Sequence, residues 1–240
     1  MTQPPIIVYC DFDGTATQVD VIDVLLTELA HPDWRLIEAE WQQGLIGSRE
    51  CLRRQIALIR GGWKAIERQL RSIVIDPSFS AFAQWCALES IPLLIVSDGI
   101  DRVIETLLAR ENIRVDAVYA NRLVESAASE LSLVFPYASK RSGCSAGLCK
   151  CERLAMEFNE SLRVVIGDGG SDFCWAPRAD QLFAKSALQA HCHAENLVCT
   201  PFDNFDSIRL DLAAYLNRKP SLRRDASTIQ HTPIYVRQNT

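Results

Sequence analysis

The feature that most constrains the fold is a set of short apolar runs separated by segments with helical periodicity. Strands that are apolar along their whole length are typical of a parallel sheet buried on both faces. The predicted strands are IIVYC at 6–10, PLLIV at 92–96, VVI at 164–166 and, more weakly, QLFA at 181–184. Helical patterns occupy 102–110, 148–158 and 206–216. The alternation predicts an α/β fold, a three-layer sandwich around a parallel sheet.

The stretch 17–76 differs from the rest, because it shows helical periodicity and no convincing strand. Val21, Leu25 and Leu29 recur at helical spacing, and glycines punctuate the remainder of the stretch. We predict an α/β core formed by 1–16 and 77–217, an inserted helical cap at 17–76 and a loosely attached tail at 218–240. A second irregular region, 121–136, alternates like a β-hairpin.

Composition excludes several classes of protein. With 240 residues, 48% hydrophobic and 23% charged, the chain has the make-up of a globular protein and not of a disordered one. A formal net charge of -5 argues against a nucleic-acid partner. No apolar run approaches the ~20 residues of a membrane span, so no membrane partner is expected. The N-terminus does not resemble a signal peptide, and we expect a cytoplasmic protein.

Nine cysteines are scattered along the chain, and in the cytoplasm they are expected to be reduced thiols. An alternative is a zinc site, since several cysteines and histidines fall close together in the sequence. The candidates are Cys144, Cys149, Cys151, His191, Cys192 and His193. Their C-x4-C-x-C spacing lacks the paired C-x-x-C of structural zinc sites, so we favour ordinary thiols.

Two carboxylates follow the first predicted strand in the sequence Asp11-Phe12-Asp13-Gly14-Thr15. The carboxyl ends of parallel strands are where α/β sheets place their ligands. The alternative is that Asp-Gly marks a turn and that the aspartates only cap the next helix. This motif alone leaves both interpretations open.

Polar turns follow the next strands as well. Ser97-Asp98-Gly99 precedes a predicted helix, where it forms either an anion cradle or an ordinary N-cap. Asp168 and Asp172 follow the third strand, in a loop that is either simply glycine-rich or a source of the oxygen ligands that Mg²⁺ prefers. Lys150 opens the preceding helix, a position where a lysine is usually solvated.

These turns all lie at strand ends, so we expect them to converge on one edge of the sheet. Together they supply carboxylates, a hydroxyl and a lysine. Such a set suits hydrolysis of a phosphate monoester: one carboxylate attacks phosphorus, and a second carboxyl group protonates the leaving oxygen. Mg²⁺ would neutralise charge, and the lysine and hydroxyl would hold the phosphoryl oxygens.

The four motifs, in this order, resemble the haloacid dehalogenase superfamily of aspartyl-phosphate phosphatases over residues 5–217. The resemblance implies a Rossmann-like sheet and a helical cap like that of the branch containing phosphoserine phosphatase. Within that branch, the segments CDFDGT, VSDGID, LCK and GDGGSDFCWAPRAD with LFAK after it are most similar to the methionine-salvage phosphatases that act on a diketo-methylthiopentyl phosphate.

The resemblance also implies a role for each matched residue. Asp11 would be the nucleophile, and Asp13 the general acid that later activates water. The implied phosphate-binding residues are Gly14, Thr15, Ser97, Asp98, Gly99 and Lys150. The implied Mg²⁺ ligands are Asp11, Asp13 through its backbone carbonyl, Asp168 and Asp172, the last through water or by steadying Lys150.

Two positions depart from the phosphoserine phosphatase pattern. Asp98 stands where those enzymes usually have glycine, so its carboxylate must point away from the phosphate or bind a cationic part of the substrate. Asp20 replaces a glutamate that meets the substrate's amine. In the cap, Asp20 and Arg53 are candidate specificity residues. Further cap candidates, which could instead pack the helices or face solvent, are Trp34, Trp41, Arg49, Arg54 and Trp63.

We therefore predict a Mg²⁺-dependent phosphomonoesterase acting on a small phosphorylated metabolite through a phospho-aspartyl intermediate. The alternatives are a phosphoserine phosphatase, a phosphotransferase that uses an acceptor other than water, or a catalytically silent binding or scaffold relative. The last is disfavoured because the full set of motif residues is present.

Overall fold

One seven-stranded sheet organises the computed structural model, which describes residues 4–140, 143–156 and 161–217. The strands lie in the order β4-β3-β2-β1-β5-β6-β7, and every neighbouring pair is parallel except β3 and β4. Their bounds are β1 Ile6–Cys10, β2 Leu93–Ile100, β3 Ala117–Glu125, β4 Leu131–Val134, β5 Leu162–Gly167, β6 Gln181–Ala184 and β7 Thr200–Pro201. The predicted α/β class is confirmed.

Helices pack on both faces of this sheet and fill the stretch after β1. Their bounds are α1 Val21–Leu29, α2 Trp34–Gln42, α3 Ser48–Ile56, α4 Gly62–Gln69, α5 Pro77–Leu88, α6 Asp101–Arg110, α7 Lys150–Met156, α8 Ser186–Ala194 and α9 Phe205–Leu216. None of the described helices is both long enough and apolar enough to span a bilayer.

β1 is the central strand, and its side chains alternate between two cores. Val8 pairs with Leu93 of β2 on one side and with Val164 of β5 on the other. The side chain of Val8 packs in the cluster that includes α5, α6 and α9, whereas Tyr9 packs with residues of α7 and α8. An apolar sequence along the whole strand is what burial on both faces requires.

The stretch between β1 and α5 is helical, as predicted. Thr17 and Ile75 form an antiparallel bridge, which brings the two ends of the inserted stretch together. This pairing supports the proposed cap at 17–76, although the boundary itself stays a prediction. The predicted tail, 218–240, lies outside the described residues.

Several elements differ from the sequence expectations. β2 runs on through the Ser97-Asp98-Gly99 segment, with an irregularity in its pairing to β3 between Val96 and Ile100. β3 begins at Ala117, earlier than the predicted hairpin, and its last four residues pair with β4. α5 and α8 were not predicted. α5 is apolar on nearly every side, so it lacks an amphipathic pattern, but Asp76 and Pro77 form a recognisable helix start.

Candidate active site

Asp11 lies directly after β1, at the carboxyl edge of the sheet. Its backbone N–H donates to the Ile166 carbonyl at 2.9 Å, so pairing with β5 fixes the position of the residue. The next residue, Phe12, is fully buried and donates its N–H to Asp11 Oδ1 at 2.7 Å. The Asp11 carboxylate is therefore buried and held in one orientation.

A tight turn packs the loop after β1 against the loop after β5. Gly14 has φ of +70°, and a Cβ there would lie 2.5 Å from Asp168 Oδ2. Thr15 Oγ1 donates to Asp168 Oδ1 at 2.6 Å, and the Gly14 N–H donates to the Val19 carbonyl at 3.1 Å. Both donors are therefore engaged within the protein, and the expected phosphate-binding roles of Gly14 and Thr15 stay predictions.

Asp172 is fully buried and anchors the loop that follows β5. Its Oδ2 accepts hydrogen bonds from the N–H groups of Asp168 at 3.0 Å and Gly169 at 3.1 Å. Its Oδ1 accepts from Lys150 Nζ at 2.7 Å. Asp172 thus fixes both the position of Asp168 and the ammonium group of Lys150.

Lys150 is the first residue of α7, and only 1% of it is exposed. Its Nζ lies 2.7 Å from Asp11 Oδ2 and 2.7 Å from Asp172 Oδ1, and 5.0 Å from the centre of the Trp175 ring. Burial alone would lower the pKa of Lys150, but the two carboxylates outweigh it and raise the pKa above its usual value. The ammonium group therefore stays charged and is fixed in the site.

Asp13 occupies different surroundings from Asp11. Its Oδ1 accepts from the Val21 N–H at 3.2 Å, and its Oδ2 accepts from Ser97 Oγ at 3.2 Å. Burial, assisted by the negative charge of Asp20, raises the pKa of Asp13 to about 7. A carboxyl group with this pKa can both donate and accept a proton near neutral pH.

Three carboxylates form a candidate metal centre. Asp11, Asp168 and Asp172 each place an oxygen within 4.8 Å of the others, and this is the one group of three or more such ligands found among the described residues. Burial, and then the charge of Asp172, raise the pKa of Asp11, which Lys150 opposes. An all-oxygen donor set that carries surplus negative charge fits Mg²⁺. The Asp13 carboxylate lies outside this group.

The carboxylate of Asp98, which was itself an expected phosphate-binding residue, is bonded within the protein. Asp98 directs its carboxylate to Leu148, Asn121 and Ser48, so the expected repulsion of a phosphate is avoided. The remaining hydroxyl and lysine of the expected set, on Ser97 and Lys150, do lie beside Asp13 and Asp11. The N–H of Gly99 donates to Ser97 Oγ at 3.0 Å and so orients that hydroxyl.

The two candidate specificity residues have ordinary structural partners. Asp20 is the N-cap of α1 and accepts from the Asp23 N–H at 3.0 Å, while its charge acts on Asp13. Arg53 is exposed and pairs with Glu50 in the same helix. No described hydrogen bond joins Arg53 to the site, so its expected role gains no support from the structure.

The cysteine and histidine candidates for zinc do not form one metal-sized cluster among the described residues. Cys149 Sγ lies 3.3 Å from Cys151 Sγ, whereas Cys192 is buried in the core on one face of the sheet. The ring of His191 stacks on Phe173 with 3.9 Å between ring centres. Burial raises the pKa of Cys149, which opposes the thiolate form that zinc binds.

One residue near the site was not singled out from the sequence. Lys185 follows β6 and donates from Nζ to the Thr15 carbonyl at 3.3 Å, so it braces the loop after β1. Its charge also lowers the pKa of Asp168, which burial raises overall. The rule that found the other residues, a polar residue directly after a predicted strand, applies to Lys185 as well.

Comparison with known proteins identifies a family. Residues 8–177 match the model of the haloacid dehalogenase-like hydrolases. Two curated proteins named 2-hydroxy-3-keto-5-methylthiopentenyl-1-phosphate phosphatase are among the similar sequences. The protein from Brevibacillus brevis is 28% identical over 85% of this chain and 94% of its own length. The protein from Microcystis aeruginosa is 30% identical over 85% of this chain and 95% of its own length.

Solved structures with the same fold include phosphoserine phosphatases. A substrate-bound phosphoserine phosphatase complex has a TM-score of 0.66 at 16% identity, covering 88% of this chain and 99% of its own. An analogue of the phospho-aspartyl intermediate of phosphoserine phosphatase has a TM-score of 0.65 at 17% identity, covering 87% and 99%. At these identities the likeness establishes the shared fold.

Proposed function

Because this chain belongs to the haloacid dehalogenase-like hydrolase family, we propose that it is a Mg²⁺-dependent phosphomonoesterase acting on a small phosphorylated metabolite. The observation that carries the proposal is the buried Asp11 carboxylate, which lies 2.7 Å from Lys150 Nζ and beside Asp168 and Asp172. In this proposal Asp11 is the nucleophile, and the reaction passes through a phospho-aspartyl intermediate.

In the first step, an Asp11 oxygen bonds to phosphorus as the bond from phosphorus to the leaving oxygen breaks. Asp13 gives its proton to that oxygen, so the product leaves as an alcohol. In the second step, the Asp13 carboxylate takes a proton from water, and the water oxygen attacks phosphorus as the bond from phosphorus to the Asp11 oxygen breaks. Inorganic phosphate leaves, and Asp11 and the protonated Asp13 are restored.

The other residues hold charge where the reaction needs it. Lys150 Nζ and Ser97 Oγ are the groups placed to bind phosphoryl oxygens, since they contact Asp11 and Asp13 respectively. Mg²⁺ would be held by Asp11 and Asp168, with Asp172 close by, and would supply positive charge next to the phosphoryl group. Asp172 keeps Lys150 in place through their 2.7 Å contact.

Hydrolysis of p-nitrophenyl phosphate with and without Mg²⁺ tests this proposal. We expect Asp11→Asn to abolish turnover, because an amide cannot form the phospho-aspartyl bond. The matched control is Asp203→Asn, at an exposed aspartate in the loop before α9, which should keep wild-type turnover. Phosphatase activity that survives in Asp11→Asn would contradict the proposed nucleophile. No activity in the wild type on any phosphate ester would favour a binding or scaffold role.

We propose that the substrate lacks a carboxylate next to its phosphate. The arginines of α3 are already engaged: Arg49 Nε donates to the Ala146 carbonyl at 3.0 Å, Arg54 pairs with Glu40, and Arg53 pairs with Glu50. A phosphoserine carboxylate that met α3 would compete with one of these contacts. The names of the curated relatives also favour a keto-methylthiopentenyl phosphate over phosphoserine.

A panel of phosphorylated metabolites tests this substrate class. We expect kcat/KM for 2-hydroxy-3-keto-5-methylthiopentenyl-1-phosphate to exceed that for phosphoserine. The reverse order would support the phosphoserine phosphatase alternative. Transfer of the phosphoryl group to an added alcohol in preference to water would support the phosphotransferase alternative, and release of inorganic phosphate counts against it.

A further inference from the structure

Asp98 makes contacts that the proposed reaction does not use. It follows Ser97 in β2, but whereas the Ser97 hydroxyl contacts Asp13, the Asp98 carboxylate bonds to other segments of the chain. Oδ1 accepts from the Leu148 N–H at 2.8 Å and from Asn121 Nδ2 at 3.1 Å, and Oδ2 accepts from Ser48 Oγ at 3.3 Å. Together, the two carboxylate oxygens accept hydrogen bonds from three different segments of the chain.

The first of these segments carries Lys150. Leu148 precedes Lys150 by two residues, and its N–H bond to Asp98 ties this part of the chain to β2. The approach is close, because a Cβ at Gly147 would lie 2.6 Å from Asp98 Oδ1 and 2.8 Å from Asn121 Oδ1. Glycine is needed at position 147 for lack of space. The hydrogen bond from Leu148 to Asp98 fixes the segment that leads into Lys150.

A second segment is the start of α3, in the inserted stretch. Ser48 is the first residue of α3 and donates to Asp98. Arg49 extends the contact, because its N–H donates to the Ser145 carbonyl at 3.0 Å and its Nε donates to the Ala146 carbonyl at 3.0 Å. The start of α3 thus rests on the same loop that leads into Lys150.

Asn121 holds Asp98 itself. Its Nδ2 donates to the Asp98 carbonyl at 2.6 Å as well as to the carboxylate. Asn121 is fully buried on β3, which is a fixed element of the sheet. The Asp98 side chain therefore has one orientation, from which it reaches both the lysine segment and α3.

We propose that Asp98 is a positioning residue that couples the start of α3 to Lys150, an inference that rests on the proposed function. Movement of α3 away from the core would break the Ser48 bond and release the 145–146 carbonyls from Arg49. The loop that ends at Lys150 would then be held by fewer bonds. The lysine is thus fixed most firmly when α3 rests on the core, and phosphate binds best in that arrangement.

The test combines Asp98→Ala, Asp98→Asn, Ser48→Ala and the double variant of Asp98→Ala with Ser48→Ala. The readouts are kcat and KM for p-nitrophenyl phosphate and the dissociation constant of inorganic phosphate, measured by calorimetry with Mg²⁺ present. Asp98→Ala should lower kcat/KM by about 10²-fold and weaken phosphate binding, since a displacement of ~1 Å costs this much. Asp203→Ala is the matched control.

The coupling makes two further predictions. Ser48→Ala alone should weaken phosphate binding by roughly fivefold, the size of one hydrogen bond, and should add nothing in the Asp98→Ala background. Asp98→Asn should recover part of the loss, because its amide oxygen can still accept from the Leu148 N–H. This variant also keeps the test valid if Asp98→Ala does not fold.

Two outcomes would overturn the inference: unchanged phosphate binding in both folded Asp98 variants, or Ser48 and Asp98 effects that simply multiply. Both differ from failure of the proposed function, which would appear as wild-type protein without hydrolysis or as an active Asp11→Asn. If activity is lost in Asp11→Asn but activity and phosphate binding are unchanged in the Asp98 variants, this inference alone is rejected.

Discussion

Asp11 and Asp13 stand two residues apart, and their surroundings give them different acid–base properties. Asp11 lies against the Lys150 ammonium group, whereas Asp13 is held by the Ser97 hydroxyl and the Val21 N–H. Burial raises the pKa of both carboxyl groups; Lys150 opposes the rise at Asp11, whereas Asp20 adds to it at Asp13, whose pKa is raised to about 7. Two carboxyl groups in contrasting environments can divide the roles of nucleophile and acid.

The charge of Asp20 supplies a test of this division. Asp20→Asn keeps a good N-cap for α1 but removes the negative charge that raises the pKa of Asp13. Since Asp13 must be protonated to act as an acid, turnover of an alkyl phosphate should fall as the pH rises above about 7. In Asp20→Asn this alkaline limb should move to lower pH, as measured by kcat against pH. An identical limb in both proteins would contradict the role of Asp20, and Asp203→Asn is the control.

For single residues, the sequence predicted correctly which side chains come together in the site. It did not predict the individual hydrogen bonds that each side chain makes. Asp11, Asp168 and Asp172 come together because parallel strands end at one edge of the sheet, a rule that needs no side-chain detail. Lys150 lies at the start of α7, and its role was expected from the family resemblance. The bond from Thr15 to Asp168 depends on the φ of +70° at Gly14, which the sequence does not specify.

At the scale of elements, α5 and α9 stabilise one face of the sheet through a cluster of aromatic rings. The ring of Phe205 lies 4.8 Å from Phe79 and 5.4 Å from Phe82, measured between ring centres. All three side chains are fully buried. Only α9 was predicted, because α5 has apolar residues on nearly every side and so lacks an amphipathic pattern, and the two helices meet only in the folded protein.

Phe205→Ala should therefore destabilise the protein without reaching the active site. We expect the free energy of unfolding to fall by about 3–5 kcal/mol, because a buried aromatic side chain is lost and a cavity remains. Unfolding in urea measures it. Leu210→Ala, on the exposed side of α9, should change stability by no more than about 0.5 kcal/mol. Equal effects of the two substitutions would contradict the packing described for α9.

At the scale of the whole molecule, the proposed metal centre is formed by residues that follow two neighbouring strands of the sheet, which are far apart in the sequence. Asp11 follows β1, whereas Asp168 and Asp172 follow β5, and Lys150 is paired with two carboxylates of this group. The order of strands was not predicted from the sequence, because pairings between distant segments leave no local pattern. The parallel class of the sheet was predicted, because strands that are buried on both faces are apolar along their whole length.

A bound cation should therefore stabilise the whole fold. Mg²⁺ at 100 times its dissociation constant should add about 2.7 kcal/mol to the free energy of unfolding, and a chelator should remove it. The shift should vanish in Asp168→Asn and persist in Asp206→Asn, at the start of α9. Thermal unfolding measures this without any substrate. A wild-type midpoint that does not respond to Mg²⁺ would contradict the assignment of the three carboxylates.

The central place of β1 has a consequence for the protein during its synthesis. β1 precedes the other described strands along the chain and is synthesised before them, yet Ile6 pairs with Leu162, and Asp11 meets Lys150, Asp168 and Asp172 only in the later part of the chain. The nascent chain therefore carries its proposed nucleophile through most of translation without the lysine and carboxylates that surround it in the folded protein. The proposed active site can therefore form only after β5 has been synthesised and has paired with β1.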